Sequence, residues 1–591
     1  MSLIFDTETN GLLDETTEMH CLVIYDTVTD TFFEYNKNTG FEEGINKLNN
    51  ADEIAGHNIV KFDIPVMQKL FGATFNPKGH IFDTLLMSKL VYPDIGLKDD
   101  VLILKNKFPK VLRGKYSLRA WGYRLHCYKG DFSLQEDCWK EWLQEMQDYC
   151  KQDVAVTSKL FKCLKNKNIS EESRELEHHF ATVIQTQIQR GVYFDKDKAV
   201  TLAGELTAQK LELEKNLCAV FQPKVIKTSF TPKADNIARG YRKGVTIIKT
   251  KTIPFNPSSR DMVAEQLITK YGWKPKILTP TGKPVINEVV LNELNYPEAS
   301  MLKDYFLVTK TLGQLTEGRN AWLKLEKNSV IHGGVDTIGA VTGRCTHINP
   351  NLAQVPAVGH FMGEECRSLF KARDGYNLVG CDASGLELRC LAHYMGDDDY
   401  THEILNGDIH TKNQLAAGLP TRAEAKRFIY AFIYGGGDAL IGSLVGGKSK
   451  EGKQIKEKFL SSLPALKNLI DRVKNKVNSR GYLYGLDKRV LTVRESYKGL
   501  NVLLQSAGAI VMKKALCILY DRMISKGWKL YDDFAFVLNI HDEYQCEIRP
   551  ELTEEYMQMA VQAIRDAGKY FKFRCPLDGE AKVGKTWADT H

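Results

Sequence analysis

The stretch Phe534-Ala-Phe-Val-Leu-Asn-Ile-His-Asp-Glu-Tyr-Gln-Cys-Glu-Ile548 admits few folds. Residues 534–538 are an apolar run that reads as a buried strand. Residues 539–543 interrupt it, and 544–548 alternate as a second strand. The pattern predicts a hairpin with a polar tip. That tip carries Asp542 and Glu543 side by side, next to His541. Adjacent carboxylates at the mouth of an apolar hairpin repel each other. A hard divalent cation such as Mg²⁺ is the natural counter-charge for oxygen ligands. A lone Asp-Glu turn is more often a solvated loop, so the weight falls on what lies upstream.

At 591 residues the chain should make two to four domains of roughly 150 residues each. A hydrophobic content of 43% and a charged content of 26% are those of a soluble globular protein. The net charge of +7 fits a polyanionic partner but is weak by itself. The 13 cysteines are scattered, with no CxxC pair, which reads as reduced thiols in a cytosolic protein. Asp6 and Glu8 arrive too early for a signal peptide, and no run approaches 18 apolar residues, so no membrane span is expected.

From the N-terminus, Leu3-Ile-Phe-Asp-Thr-Glu-Thr-Asn10 predicts a short strand whose period-two alternation sets Asp6 and Glu8 on one face. Residues 21–25 and 31–35 predict the next two strands. Residues 54–63 predict a strand and turn that deliver Asp63, with Asn58 ahead of it. Residues 142–160 predict a helix that carries Tyr149 and Asp153, i and i+4, on one face. Four acids from separate segments and one tyrosine make a two-metal constellation. The carboxylates hold two divalent ions that activate a water and stabilise the leaving oxygen of a phosphodiester, and the Tyr149 hydroxyl orients the water. Any one of these acids alone is more often a surface charge, but the ordered set is far harder to meet by chance. Asp83 reads as structural.

Helices are predicted over 175–190, closed by Gly191, and over 195–220, with another opening at 255–261. Between them, residues 222–254 hold eight Lys and Arg against a single acid, Asp235, with Phe230 and Tyr241 interleaved. This segment reads either as a contact for a phosphate backbone or as a solvated loop. Thr279-Pro-Thr-Gly282 reads as a turn between two short strands.

In the C-terminal half, residues 378–381 predict a buried strand that ends in Asp382, followed by a helix carrying Glu387 and Arg389. Asp382 supplies a partner for Asp542, and two strand-borne acids suit two-metal phosphoryl transfer. Thr421 with Glu424 is a capping box. Behind it Arg422, Lys426, Tyr430 and Tyr434 recur every four residues and form one stripe, drifting about 40° per step. Two cations followed by two aromatics suit the phosphates and base of a nucleoside triphosphate. The alternative is an amphipathic helix with a solvated basic end. Arg344, and Asn501 with Gln505 on a further helix, are candidates for contact with DNA.

In order, these segments resemble the motifs of the family A (polymerase I-type) DNA polymerases: Asp382-Ala-Ser-Gly-Leu-Glu-Leu-Arg389, then Arg422 to Gly435, then His541-Asp542-Glu543. Gly407-Asp-Ile-His410 and Thr342-Gly-Arg344 also fit. The N-terminal set resembles the proofreading 3′–5′ exonuclease of the DEDD superfamily, Tyr subtype. The resemblance covers nearly the whole chain. Within the family it is similar to the replicative polymerases of short-tailed bacteriophages, through Asn256-Pro-Ser-Ser-Arg-Asp261, Leu504-Gln-Ser-Ala-Gly-Ala509 and a start directly at the exonuclease, with no 5′ nuclease domain before it.

The resemblance implies an α/β and α+β multidomain fold. A ribonuclease H-like exonuclease domain would span 1–170 and a polymerase domain 171–591. Within the latter lie a thumb at about 175–330, a palm at about 331–395 and 485–591, and fingers at about 396–484. It implies a DNA-templated DNA polymerase that proofreads and replicates a phage genome in the bacterial cytoplasm. A host-type repair polymerase stays open, as does a degradative nuclease with a DNA-binding C-terminal half. Asp382 and Asp542 would bind two Mg²⁺ in one centre, and Asp6, Glu8, Asp63 and Asp153 two in the other, with Mn²⁺ as a substitute. Glu543 would be an auxiliary carboxylate, Lys426 a general acid, and Tyr149 the exonuclease tyrosine. His410, Arg422, Lys426 and Tyr430 would meet the dNTP, and Glu387 near Tyr430 would exclude a ribose 2′-hydroxyl. Arg344, Tyr434, Asn501, Gln505 and His541 would hold the primer–template DNA. Replisome partners would be a helicase-primase and a single-stranded DNA-binding protein. A thioredoxin partner is not expected, because the 222–254 insert is short. Lys488 stands where the phage relative has Gly, and the role of its loop stays open.

Overall fold

The computed structural model of the chain describes residues 1–135 and 137–591. These fall into two compact units. One comprises Met1–Val192, His332–Ala353 and Ala372–His591; the other comprises Tyr193–Ile331 and Gln354–Lys371.

The first unit opens on a five-stranded sheet in the order Thr31–Asn36, Met19–Asp26, Ser2–Thr9, Glu53–Gly56, His80–Asp83. The first three strands pair antiparallel and the last two join in parallel. Alternation sends Leu3 and Phe5 into one apolar layer with Ile45, Leu48 and Met67. Ile4 enters the other, with Met146, Cys150 and Val154 of the Gln144–Lys165 helix. Asp6 and Glu8 keep step with Ile4, so they face that helix. The helix starts at Gln144, two residues later than its sequence pattern suggests, because Leu143 stays extended at φ −129°, ψ 153°.

The Glu171–Arg190 helix then runs to a second sheet. His178 Nε2 accepts from the backbone N–H of Asp83 at 2.8 Å. Arg190 donates to Glu547 at 2.7 and 2.9 Å. Between them Glu177, fully buried, accepts from Lys513 Nζ at 2.6 and 2.8 Å and meets Arg489 at 2.6 Å. Arg489 also forks onto Asp487. Lys488 beside it adopts φ 65°, the left-handed conformation that glycine takes without strain.

The second sheet runs Phe534–Ile540, Glu543–Ile548, Asn377–Ala383, Gly579–Gly584, all antiparallel. The hairpin turn is tighter than the 539–543 interruption suggests. Asn539 and Ile540 pair with Tyr544 and Glu543, which leaves His541, at φ 57°, and Asp542 to make the turn. Helices Thr553–Tyr570 and Glu171–Arg190 pack on this sheet, and against both of them lies the helix Gly499–Ser525. The latter helix, taken from Ser496, is long and apolar enough to cross a membrane by length and composition, but 72% of its most apolar window is buried. Its scattered polar residues break the apolar run, and it serves as a core helix.

The second unit packs helices Lys196–Val220, Arg260–Tyr271 and Pro297–Leu312 around Leu217, Phe221, Phe255, Leu267 and Tyr305. Asp195 and Ser259 cap the first two helices. The basic 222–254 segment is no loop. Its residues Lys224–Phe230 and Ile247–Ile253 pair as an antiparallel ribbon. Thr279 to Gly282 form a turn closed by a single bridge, Leu278 to Pro284, rather than by two strands.

Two candidate carboxylate centres

In the first sheet, Asp6 and Glu8 on the Ser2–Thr9 strand, Asp63 at the start of the Asp63–Phe71 helix and Asp153 on the Gln144–Lys165 helix converge. Thr7 donates to Asp63 Oδ1 from its backbone N–H at 3.1 Å and its hydroxyl at 2.7 Å. Burial, and then the charges of Asp63, Glu8 and Asp153, push Asp6 well above the usual carboxylate range. Burial, then Asp153, does the same to Glu8. Asp63 and Asp153, also raised by burial, reach about 6. Such a cluster calls for positive charge. Asp153 Oδ1 is buried and has no hydrogen-bond partner. The donor atoms of Asp6, Glu8 and Cys150 lie within 4.8 Å of one another. These residues could hold a divalent cation.

One side chain here escapes a reading of motifs. Lys129 Nζ bonds Asp153 Oδ2 and sits 4.6 Å from the Tyr149 ring centroid. It supplies a resident positive charge in the centre. Asn58, at φ 69°, does not enter the carboxylate group; its N–H donates to Asp83 Oδ1 at 3.0 Å. Asp83 also accepts from Val60, Leu85 and Leu86, so it organises the loop and caps a helix. A cleft of about 730 Å³ opens beside the centre, lined by His57, Lys89, Tyr116, Lys129, Asp336 and Ile338 among others.

In the second sheet, Asp382 is the next-to-last residue of the Asn377–Ala383 strand and Asp542 sits in the neighbouring turn, joined by Ala383 N–H donating to the Asp542 carbonyl at 3.1 Å. Partial desolvation, then Asp542, Glu543 and Glu387, pushes Asp382 up to about 7; burial, then Glu387, pushes Asp542 up to about 6. Glu543 behaves differently. Burial would raise it, but His591, Gln545 and Trp587 hold its carboxylate below its ordinary value. Gln545 and Trp587 donate at 2.6 and 2.7 Å, and His591 lies at 3.1 Å. Glu543 is thus anchored in the strand and is not a free partner of Asp542 at the tip.

The Thr421–Glu424 capping box is formed, and the Arg422–Ile433 helix carries the cation–aromatic stripe, with Tyr434 as its C-cap. Burial raises the Tyr430 hydroxyl, and so do the charges of Glu387, Asp542 and Asp382, so the stripe looks onto the carboxylates. Glu387 takes its hydrogen bond from the next turn of the stripe, however. Tyr434 donates to it at 2.6 Å, and Arg344 lies 3.7 Å away. Asn501 donates to the Tyr434 carbonyl at 3.2 Å, while Gln505, half-buried, lies one turn further along the same helix. Arg422 is not bare. It forks onto Asp408 at 2.6 and 3.1 Å, and Asp408 caps the Ile409–Ala417 helix that bears His410. The His410 and Tyr430 rings are 6.4 Å apart. Lys426 is exposed on the same stripe. His541 is held toward neutrality by burial and then by Arg344.

A mixed five-stranded sheet with four converging acids and an antiparallel sheet with two acids beside the Tyr430 helix suit an enzyme with two metal-dependent phosphoryl-transfer sites. The chain belongs to DNA polymerase family A, whose description matches residues 234–589, and its residues 3–165 match the RNase H superfamily. It is 35% identical to the DNA-directed DNA polymerase of Enterobacteria phage T3 and 35% identical to that of Escherichia phage T7, each over 100% of both chains. Among solved structures, the POL domain of Pol1 from M. smegmatis, in complex with DNA primer-template and dNTP, matches with a TM-score of 0.75 at 16% identity, covering 100% of this chain and 95% of that one. The protein is therefore a DNA-directed DNA polymerase with an RNase H-like exonuclease domain, and enzymes of both kinds depend on divalent metal.

Proposed function

We propose that this enzyme replicates a phage genome. In this reading it extends primer–template DNA with dNTPs at Asp382 and Asp542, and removes mispaired 3′ ends at Asp6, Glu8, Asp63 and Asp153. We read residues 1–170 as the exonuclease, 175–330 as the thumb, 396–484 as the fingers and the flanking segments as the palm. The carrying observation is the 3.1 Å backbone bond that sets Asp382 and Asp542 at one end of the sheet, where their charges reach the Tyr430 hydroxyl of the stripe.

Two Mg²⁺ bound at each centre would neutralise phosphate charge and activate the attacking oxygen. The rest falls to side chains. Asp382 and Asp542 present oxygens at the sheet end. Arg422, Lys426 and His410 bind the triphosphate, and Lys426 gives its proton to the departing pyrophosphate. Tyr430 meets the base. Glu387, held by Tyr434, stands where a 2′-hydroxyl would need space. Arg344, Asn501, Gln505 and His541 hold the primer–template. Glu543 acts as a positioning residue that fixes the strand behind Asp542. In the exonuclease, the cleft beside Lys129 takes the unpaired strand, and Tyr149 orients the attacking water.

Asp542→Ala should abolish primer extension and leave removal of a mispaired 3′ nucleotide intact. Asp6→Ala with Glu8→Ala should do the reverse. Extension by the first variant would overturn the assignment of the polymerase centre, and trimming by the second that of the exonuclease.

A further inference from the structure

Residues 337–345 join the antiparallel strands Gly334–Asp336 and Thr346–Ile348 and carry Arg344 near their end. Two buried cations hold this loop. Lys513, 2% exposed, donates from Nζ to the Thr337 carbonyl at 2.8 Å and to the two Glu177 oxygens at 2.6 and 2.8 Å. An ammonium has three donors, so each one is used. Arg489, 4% exposed, lies 2.6 Å from Glu177 and sits under Gly343. A methyl group on Gly343, at φ 79°, would lie 2.6 Å from Arg489 Nη1. Asp487 takes the rest of the guanidinium at 2.9 and 2.5 Å. The result is a buried quartet of two acids and two cations.

Three elements that bear the proposed primer–template contacts meet at Lys513. It belongs to the Gly499–Ser525 helix, which carries Asn501 and Gln505. The loop brings Arg344. The hairpin turn is the third, because a cavity of about 20 Å³ is lined by Lys513, Arg344, Asn539 and His541, among others. His347, on the strand that returns from the loop, donates from Nε2 to the Asn539 carbonyl at 2.7 Å. Stability alone does not account for the quartet. Well-packed apolar side chains in place of a buried ion pair are often as stable, but an apolar side chain at position 513 offers the Thr337 carbonyl no donor. What the ions add is position. The carbonyl at one end of the loop and the glycine next to Arg344 at the other are both pinned to cations that share one carboxylate, Glu177.

We propose that Glu177, Lys513 and Arg489 are positioning residues for polymerisation, a buried clamp that sets Arg344 against the primer–template. The proposal rests on the reading of Arg344 as a DNA contact. Its consequence is that the helix Glu171–Arg190, which also bonds the first sheet through His178, governs how the polymerase centre holds its primer.

The test is a mutant cycle on binding of a 3′-recessed primer–template to the full chain in EDTA, which stops degradation. Arg344→Ala removes the contact itself and raises Kd about ten-fold or more, the loss of a charged hydrogen bond. The double variant Glu177→Gln/Lys513→Met removes one charge of each sign, leaves Arg489 with Asp487 and takes the donor from Thr337. It melts with the wild type, yet raises Kd about ten-fold. Added to Arg344→Ala, it raises Kd less than about two-fold further, because nothing is left to position. A double variant that binds like the wild type overturns the proposal. A full further loss on top of Arg344→Ala also overturns it, since the quartet would then act elsewhere. If the double variant melts early, Lys513→Met alone, which leaves Glu177 its Arg489 partner, goes through the same cycle with the same two overturning results. An Arg344→Ala chain that binds like the wild type would instead overturn the reading of Arg344 as a DNA contact, and the clamp with it.

Discussion

Arg422 and Asp408 show how a single partner fixes what a side chain can do. The guanidinium is forked, and the hydrogen bonds of Arg422 and Thr411 hold Asp408 far below the usual carboxylate range. Asp408→Asn keeps an N-cap but removes the charge that orients Arg422. We expect the KM for dNTP to rise about ten-fold with a smaller change in kcat, read by steady-state incorporation. An unchanged KM would mean that Arg422 does not meet the triphosphate. Lys129 makes a second case. Lys129→Met leaves Asp153 without its cation and should lower the stability of the metal-free protein by about 1–3 kcal/mol, seen as a lower melting temperature in EDTA, while primer extension stays unchanged. The carboxylates of this centre were legible in the sequence because strand alternation and helical spacing tie Asp6 to Glu8 and Tyr149 to Asp153. Lys129 was not, because its partner lies 24 positions away and nothing local marks it from a surface lysine. The anchoring of Glu543 was hidden for the same reason, since Trp587 and His591 lie at the far end of the chain.

Among the elements, the Glu171–Arg190 helix carries a fully buried carboxylate. Glu177 is buried between Lys513 and Arg489. Glu177→Gln would leave two cations under-compensated in a dry core, a loss of about 3–5 kcal/mol that chemical denaturation would register. A loss below about 1 kcal/mol would show that water reaches the site. The helices, the hairpin and the capping box at Thr421 could be read from periodicity and end signals. The ribbon at 222–254 was obscured by its charge, although Ile247–Ile253 alternates β-branched residues with lysines, a strand pattern. The Tyr434–Glu387 bond follows from where the helix ends, one turn past Tyr430, and spacing alone could not choose between two tyrosines on one stripe.

At the scale of the whole molecule, two crowded carboxylate centres make stability depend on pH and metal together. Asp63, Asp153 and Asp542 reach about 6 and Asp382 about 7, all above the ordinary value of 3.8. A carboxyl raised in the folded state binds its proton more tightly there than when unfolded. These groups therefore favour folding at low pH, and that contribution falls as pH rises from about 4 to about 7. Divalent cations favour the ionised forms. The rise in melting temperature on adding Mg²⁺ should therefore be small near pH 5.5 and grow through pH 7, and a rise independent of pH would place the metal elsewhere. The same centres are tied together by the Glu171–Arg190 helix, bonded to the first sheet through His178 and to the second through Arg190. Between those two bonded residues the helix advances 12 positions, His178 to Arg190, a rigid gauge of about 18 Å at 1.5 Å per residue. On the proposed assignment of the two centres, a frayed primer end must cross a gap of set width to be trimmed, so the number of terminal pairs that must open is the same for every template. Error correction then becomes a matter of how often that many pairs breathe, and a mismatch is singled out by its weaker stacking before any side chain inspects it.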